Sequence, residues 1–522
     1  VGAGFSGLYM LHRLTQMGLW ARMFEAGSGV GGTWFWNRYP GARVDIESLE
    51  YSYSFSRELD AEWTWSERYA TQPELEAYLN HVADRFHLRG EIELDTRVVA
   101  ARFDEPAGRW AVTTDRGGTV SARFCIMATG NLSVPNELPF EGAESFAGQS
   151  YRTSHWPAEG VDFTGKKVGV IGTGSSAVQS IPILAEQAER LTVFQRTPNF
   201  SVPAHNGQIP SEVLDDWAEH RDEYRAVGRA AGAGIRMIEA RELVCADEDE
   251  AARQAEYDRR WRKGGFALLG AYGDMMIDEA ANATAAEFVR GKIRQTVRDP
   301  AVADKLIPRS YPIGTKRMCV DSGYYETFNR DNVELVDLRA EPIVGVEPAG
   351  VRTQDRLYEL DALVYAIGFD AMTGALARID IRGRGGQSLA QAWAEGPKTY
   401  LGLMVAGFPN LFIVTGPGSP SVLANMAVAI EQHVDWIADC LGWMGERQRS
   451  VIEATAAAQA AWVEHVNEVA SMTLFPKAAS WYMGANVPGK PRVFMPYIGG
   501  LPLYRAKCEE VAAAGYEGFA LD

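Results

Sequence analysis

Val1-Gly2-Ala3-Gly4-Phe5-Ser6-Gly7 opens the chain, and the spacing of its three glycines decides the fold. In a GxGxxG turn between a strand and a helix, Gly2 allows the tight reversal and Gly4 lets the backbone approach a pyrophosphate. Gly7 lets the helix pack close to the strand. The following helix carries Leu8, Leu11 and Leu14 on one side and stops at Gly18. Its amino terminus offers unpaired N–H groups and the positive end of the helix dipole to an anion. A short strand then ends at Phe24-Glu25, about eighteen residues after Gly7. A carboxylate at Glu25 accepts hydrogen bonds from ribose hydroxyls and repels a 2′-phosphate, so the first unit suits FAD or NAD. Because the motif begins at the first residue, its leading strand is expected to be truncated and a preceding segment to exist.

A second cradle follows the strand Lys167-Val168-Gly169-Val170-Ile171. It reads Gly172-Thr173-Gly174-Ser175-Ser176-Ala177, a GxGxxA turn. Its next strand, Leu191-Thr192-Val193-Phe194, leads to Arg196 and Thr197. A guanidinium there pairs with a 2′-phosphate, which suits NADPH. One glycine motif alone is a weak signal, since a tight strand-to-helix turn has the same form. Two motifs, each with the charge its ligand demands, are a stronger one. Two dinucleotides in one subunit point to electron relay, with nicotinamide reducing flavin.

The apolar strands 124–130 and 362–368 end in small residues and read as crossings between the units. Residues 205–305 are rich in Ala, Glu, Asp and Arg and read as amphipathic helices, with Ala230–Gly234 as a flexible connection. The expected fold is α/β, with two Rossmann-like dinucleotide-binding domains (FAD and NADP) and a helical insertion. The FAD domain is expected at 1–135 and 375–522, the NADP domain at 140–205 and 305–374, and the helical insertion at 206–304.

With 522 residues the chain is too long for one core. A net charge of −17 argues against nucleic acid or an anionic membrane as the main partner. No apolar run is long enough to span a bilayer. The five cysteines are scattered without CxxC spacing, so no disulfide frame, no metal site and a reducing, cytoplasmic setting are expected.

Four segments carry a family likeness: Gly31-Gly32-Thr33-Trp34-Phe35-Trp36-Asn37-Arg38-Tyr39-Pro40-Gly41-Ala42-Arg43-Val44-Asp45; Phe146-Ala147-Gly148 to His155-Trp156-Pro157; Tyr311-Pro312-Ile313-Gly314-Thr315-Lys316-Arg317; and Ala479-Ser480-Trp481 to Gly489-Lys490. With these the chain resembles the type I Baeyer–Villiger monooxygenases, closest to their phenylacetone and steroid monooxygenase branch. The resemblance implies an enzyme that converts ketones to esters or lactones with NADPH and O2 through a C4a-peroxyflavin, with sulfide oxidation as a side activity. It implies a fixed cation, Arg317, that stabilises the anionic adduct, partnered by Asp45. On the flavin side it carries over Ser6, Glu25, Thr33, Trp34, Phe35, Trp36, Arg43, Val44, Asp45, Tyr51 and Met426. On the NADP side it carries over Ser175, Ser176, Ala177, Gln179, Arg196, Thr197, Lys316 and Trp481, the last on a loop that closes the site. The length of Ser419–Asn425 implies bulky aryl, alicyclic or long-chain ketones, lined by Leu423 and Met426. The partners expected are a ketone and O2, and the chain is expected to be a monomer or a dimer. One departure stands out. Where the family pattern FxGxxxHxxxWP has histidine, this chain has Arg152, and its nearby histidine is His155, a loop residue expected to face elsewhere. Three alternatives compete: a nitrogen- or sulfur-oxidising flavin monooxygenase, a disulfide reductase (which lacks its cysteine pair here), and a non-catalytic flavoprotein.

Overall fold

The computed structural model describes all of residues 1–522. Around the first glycine turn, the parallel strands Met23–Phe24 and Ile92–Glu93 lie on one side, and Cys125–Met127 and Leu411–Ile413 on the other. Val1 and Gly2 join them: the Gly2 N–H donates to the Phe24 carbonyl (2.8 Å) and the Ala128 N–H to the Val1 carbonyl (2.9 Å). The helix Phe5–Gln16 leaves this sheet and packs along Met426–Glu446, fastened by the Tyr9 hydroxyl to Asp435 Oδ1 (2.7 Å). A mixed four-stranded sheet, Asp380–Arg382, Val98–Asp104, Arg109–Thr114 and Thr119–Ala122, completes this unit.

The second turn sits in a five-stranded parallel sheet ordered Val333–Asp337, Arg190–Gln195, Lys167–Ile171, Ala362–Tyr365, Gln149–Arg152. Val168, Val170, Leu191, Val193, Leu363 and Val364 are fully buried within it. A parallel sheet covered on both faces demands such unbroken apolar runs, which is why these strands were visible without alternation. Residues 206–304 contain no strand. Their main helices are Ser211–Ala230, Glu250–Lys263 and Glu279–Thr296.

Ala230–Gly234 differs from the expected flexible connection. The Asn425 N–H donates to the Ala233 carbonyl (2.7 Å), the Leu501 N–H donates to the Gly232 carbonyl (2.8 Å), and Gly234 is buried. Glycine serves close approach there, since a Cβ on Gly234 would crowd Leu501 and Asn425. The two crossings run side by side: Asn136 donates its N–H to the Gly368 carbonyl (3.1 Å) and its Nδ2 to the Ile367 carbonyl (2.9 Å). No helix is long and apolar enough to cross a membrane. All five cysteines are buried and unpaired.

Candidate active site

At the first cradle each glycine answers to a backbone approach. Gly2 has φ +102°, and a Cβ there would overlap the Ala128 carbonyl. One on Gly7 would overlap the Gly2 carbonyl, and one on Gly4 would lie 3.3 Å from Gly32 Cα. Gly4 is the helix N-cap and no side chain caps the turn, so the N–H groups of Phe5, Ser6 and Gly7 stay available to an anion. Glu25 is buried, and its oxygens accept from Ala3 N–H and Gly27 N–H, each at 2.7 Å. The carboxylate therefore shapes the loop, while each oxygen keeps a lone pair for a ribose hydroxyl. Thr33–Trp36 forms a single helical turn stacked on this cradle. Thr33 is exposed, Trp34 is buried with Nε1 donating to the Tyr51 hydroxyl (3.4 Å), and Phe35 lies against Gly27 and Gly29. Burial pushes the Tyr51 phenol up to about 12. An uncapped helix start, a carboxylate and a backbone stripped of Cβ atoms fit a dinucleotide such as FAD.

The second cradle repeats the device with the opposite charge. Gly172 has φ +112°, and a Cβ there would overlap the Ala366 carbonyl. Gly174 faces open space, Ala177 is fully buried, and the helix Ser175–Gln187 has no side-chain cap. Ser175 Oγ lies 3.6 Å from Cys319 Sγ, and the Ser176 carbonyl accepts from Ser180 Oγ (2.7 Å). Arg196 is exposed and makes no ion pair, and the Thr197 carbonyl accepts from Thr173 Oγ1 (3.0 Å). Lys316 Nζ sits over the Tyr311 ring at 4.9 Å, and its pKa is lowered by burial and by Arg196. Two neighbouring cations without a carboxylate between them favour a bound phosphate, so this cradle fits NADPH. Gln179, on the helix of this cradle, also reaches across to the first unit. Its Oε1 accepts from the Tyr39 hydroxyl (2.9 Å) and its Nε2 donates to the Arg43 carbonyl (3.1 Å), so it joins the two units. Arg43 Nη1 pairs with Glu67 (3.1 Å), and Val44 is buried beside it.

Between the cradles stands Arg317, 272 residues away from Asp45 in sequence. Its Nε donates to Asp45 Oδ2 (2.6 Å) and its Nη2 to Asp45 Oδ1 (2.7 Å). Nη1 donates to the Val422 carbonyl (2.8 Å). A guanidinium has five N–H donors, so two remain for a ligand oxygen. Burial alone would depress this group, but the charge and hydrogen bonds of Asp45 more than offset it, and its pKa is raised. Phe266 lies under the guanidinium, its ring centroid 5.3 Å from Cζ. Tyr482 is buried beside it, its phenol pushed up to about 12 by burial. Leu423, Met426 and Trp481 are half-buried against the apolar cluster that holds Val422 and Tyr482, with the Trp481 and Tyr482 rings 4.2 Å apart. Arg317 thus carries a fixed positive charge beside both cradles, with donors to spare for an oxygen.

Arg152 donates Nη1 to the Asn136 carbonyl (3.3 Å), on the first crossing. His155 faces the segment that carries Trp36. Although exposed, its ring stacks on Trp36 at 5.6 Å and 25°. A single antiparallel bridge between Arg152 and His155 turns the chain so that the ring meets the other unit. Sequence reasoning missed Phe266, Tyr39, Tyr482 and the Val422 carbonyl. Only Gly264-Gly265 before Phe266 offered a signal, as a turn. A main-chain acceptor leaves none.

Residues 1–261 match the family described as pyridine nucleotide-disulphide oxidoreductase. A solved steroid monooxygenase bound to NADP superposes with a TM-score of 0.96 at 53% identity, covering 100% of this chain and 98% of that one. A Baeyer–Villiger monooxygenase of Pseudooceanicola batsensis is 42% identical, covering 100% of this chain and 95% of that protein. A phenazine N-monooxygenase of Lysobacter antibioticus is also 42% identical, over 100% of this chain and 96% of its own length.

Proposed function

The chain belongs to the Baeyer–Villiger monooxygenases, and through its first half to the wider pyridine nucleotide-disulphide oxidoreductase family; from that premise we propose that it oxygenates ketones. The reaction takes a ketone, NADPH, a proton and O2 to an ester or lactone, NADP+ and water. One oxygen atom enters a bond beside the carbonyl carbon. FAD, when bound, takes the hydride from NADPH and activates O2, and the chain's residues bind, orient and shield. Gly2, Gly4, Ser6, Gly7 and Glu25 would hold the FAD pyrophosphate and ribose, with Thr33–Trp36, Tyr51 and Met426 around the rest. Gly172, Gly174–Ala177, Arg196, Thr197 and Lys316 would hold NADPH, with Trp481 over it. We assign 1–135 and 375–522 to FAD, 140–205 and 305–374 to NADP, and 206–304 to the helical part.

The observation that carries the reading is the Arg317–Asp45 pair. Asp45 holds the guanidinium edge-on, and Val422 takes a third donor. Two N–H groups of a permanent cation then remain to meet negative charge developing on oxygen at the former carbonyl. Preorganised donors of this kind act strongest where water is excluded. A disulfide reductase would need two cysteines in reach of the flavin and of each other, and all five here are separately buried.

We infer bulky aryl, alicyclic or long-chain ketones from the length of Ser419–Asn425, with Leu423 and Met426 as candidate lining residues half-buried beside Val422. In a reducing compartment, which we propose to be the cytoplasm, the cysteines stay thiols. The FAD-loaded protein with NADPH, O2 and a ketone panel tests the reading. Ketone-stimulated NADPH oxidation with ester detected by gas chromatography supports it, and stimulation by no ketone refutes it. Nitrogen oxidation is the second reading, favoured by the likeness to the phenazine enzyme. Stimulation by amines or N-heterocycles alone would select it.

A further inference from the structure

We propose that Phe266, supplied by the helical stretch, is a positioning residue for Arg317 and decides which face of the guanidinium meets the reacting groups. This rests on the assignment of Arg317 as the catalytic cation. Hydrogen bonds to a guanidinium lie near its plane. Those to Asp45 and Val422 therefore act chiefly within that plane and resist movement out of it least. Phe266 adds restraint in that direction. Cζ stands over its ring at 5.3 Å, inside the range of cation–π attraction, and the ring is only 3% exposed. With one face backed by the ring, the other face and the two spare N–H groups are what the site presents.

The turn that carries Phe266 is built to hold still. Gly264 and Gly265 take positive φ values (+78° and +54°) that favour glycine, and a Cβ on Gly265 would overlap the Tyr69 hydroxyl. Arg260, 1% exposed, binds the turn from beneath. Its Nη1 donates to the carbonyls of Ala267 (2.6 Å) and Ile238 (2.7 Å), its Nη2 to that of Glu239 (2.9 Å), and its Nε to Glu256 (2.6 Å). Hydrogen bonds from Arg259 and Arg260 in turn hold the Glu256 carboxyl down to about 2. A buried cation spent on main-chain carbonyls rigidifies the short helix Gly265–Gly270, and that rigidity is passed to Phe266. The helical stretch thus reaches the catalytic cation through one ring.

Phe266→Leu keeps bulk and removes the ring's charge distribution. In the FAD-loaded variant we expect anaerobic flavin reduction by NADPH within twofold of the parent. Ester formed per NADPH consumed should fall roughly three- to tenfold, with H2O2 accounting for the rest. A crystal structure should show the Arg317 guanidinium displaced from Asp45. Phe266→Tyr, which keeps the ring, should couple like the parent. Phe266→Met repeats the test in a second packing should the leucine variant fail to hold FAD. Parent-like coupling with Arg317 unmoved in the leucine or methionine variant overturns the proposal, as does a tyrosine variant as uncoupled as leucine. If the parent makes no ester from any ketone, the catalytic assignment fails, while the crystallographic position of Arg317 still reports on positioning.

Discussion

Replacing Arg317 with alanine should stop ester formation while leaving the protein yellow. Three of its five N–H donors are held by Asp45 and Val422, and two remain. Loss of one well-placed donor to a developing oxyanion costs about 2.7–4 kcal/mol, a factor of about 10² to 10³ in kcat. Arg317→Ala removes two such donors and their charge together, so at least that loss is expected. Arg317→Lys keeps the charge as a compact ammonium that cannot hold both Asp45 oxygens edge-on and still reach Val422. It should recover less than about a tenth of the parent rate. Asp45→Ala leaves the guanidinium charged but untethered and should fall between the two. If the residues act as one unit, the double variant will be no slower than Arg317→Ala alone. The assay is ester formation under saturating NADPH, with FAD content and anaerobic flavin reduction measured in parallel. Ester formation by Arg317→Ala above about a tenth of the parent rate, with FAD bound, would refute the mechanism.

Arg196→Ala should raise the KM for NADPH about tenfold or more and leave that for NADH nearly unchanged, because only the former carries a 2′-phosphate; a parallel rise for both coenzymes contradicts that role. Gly7→Ala puts a methyl group into the Gly2 carbonyl, so the variant should purify colourless. His433 is buried, with Nδ1 accepting from the Thr415 N–H (3.0 Å), and burial depresses its pKa to about 3. An exposed imidazole titrates near 6.5, so the unfolded chain takes up the proton first as the pH falls. This contribution to stability is therefore full above about pH 6.5 and is lost progressively towards pH 3. The thermal midpoint of the parent should drop more steeply between pH 7 and 5 than that of His433→Gln. Asp321, raised to about 6 by burial, works in the opposite direction and is common to both proteins. Equal slopes would remove His433 from the account.

Both glycine turns were legible because the backbone itself imposes them. A crossing segment that leaves no room for Cβ at Gly2 and Gly172, and a turn that folds the Gly2 carbonyl onto Gly7, can be met by one residue type only. The parallel strands were legible as apolar runs, since burial on both faces removes alternation. Ala230–Gly234 was misread because glycine serves both flexibility and close packing, and composition does not say which. The direction of His155 was not legible, because its stacking on Trp36 joins two segments far apart in the chain. Phe266 gave no sign of its neighbour, since a phenylalanine that fills a core and one that backs a cation look the same in sequence.

Local chain geometry therefore made two dinucleotide-binding turns legible from sequence alone, and the charge ending each following strand, Glu25 in one unit and Arg196 in the other, is what the proposed choice of nucleotide rests on. Only the folded chain decided that Asp45, Val422 and Phe266, from three distant segments, enclose one guanidinium and leave two of its donors open. Such contacts depend on how helices and sheets pack, and packing joins residues whose separation along the chain carries no record of it.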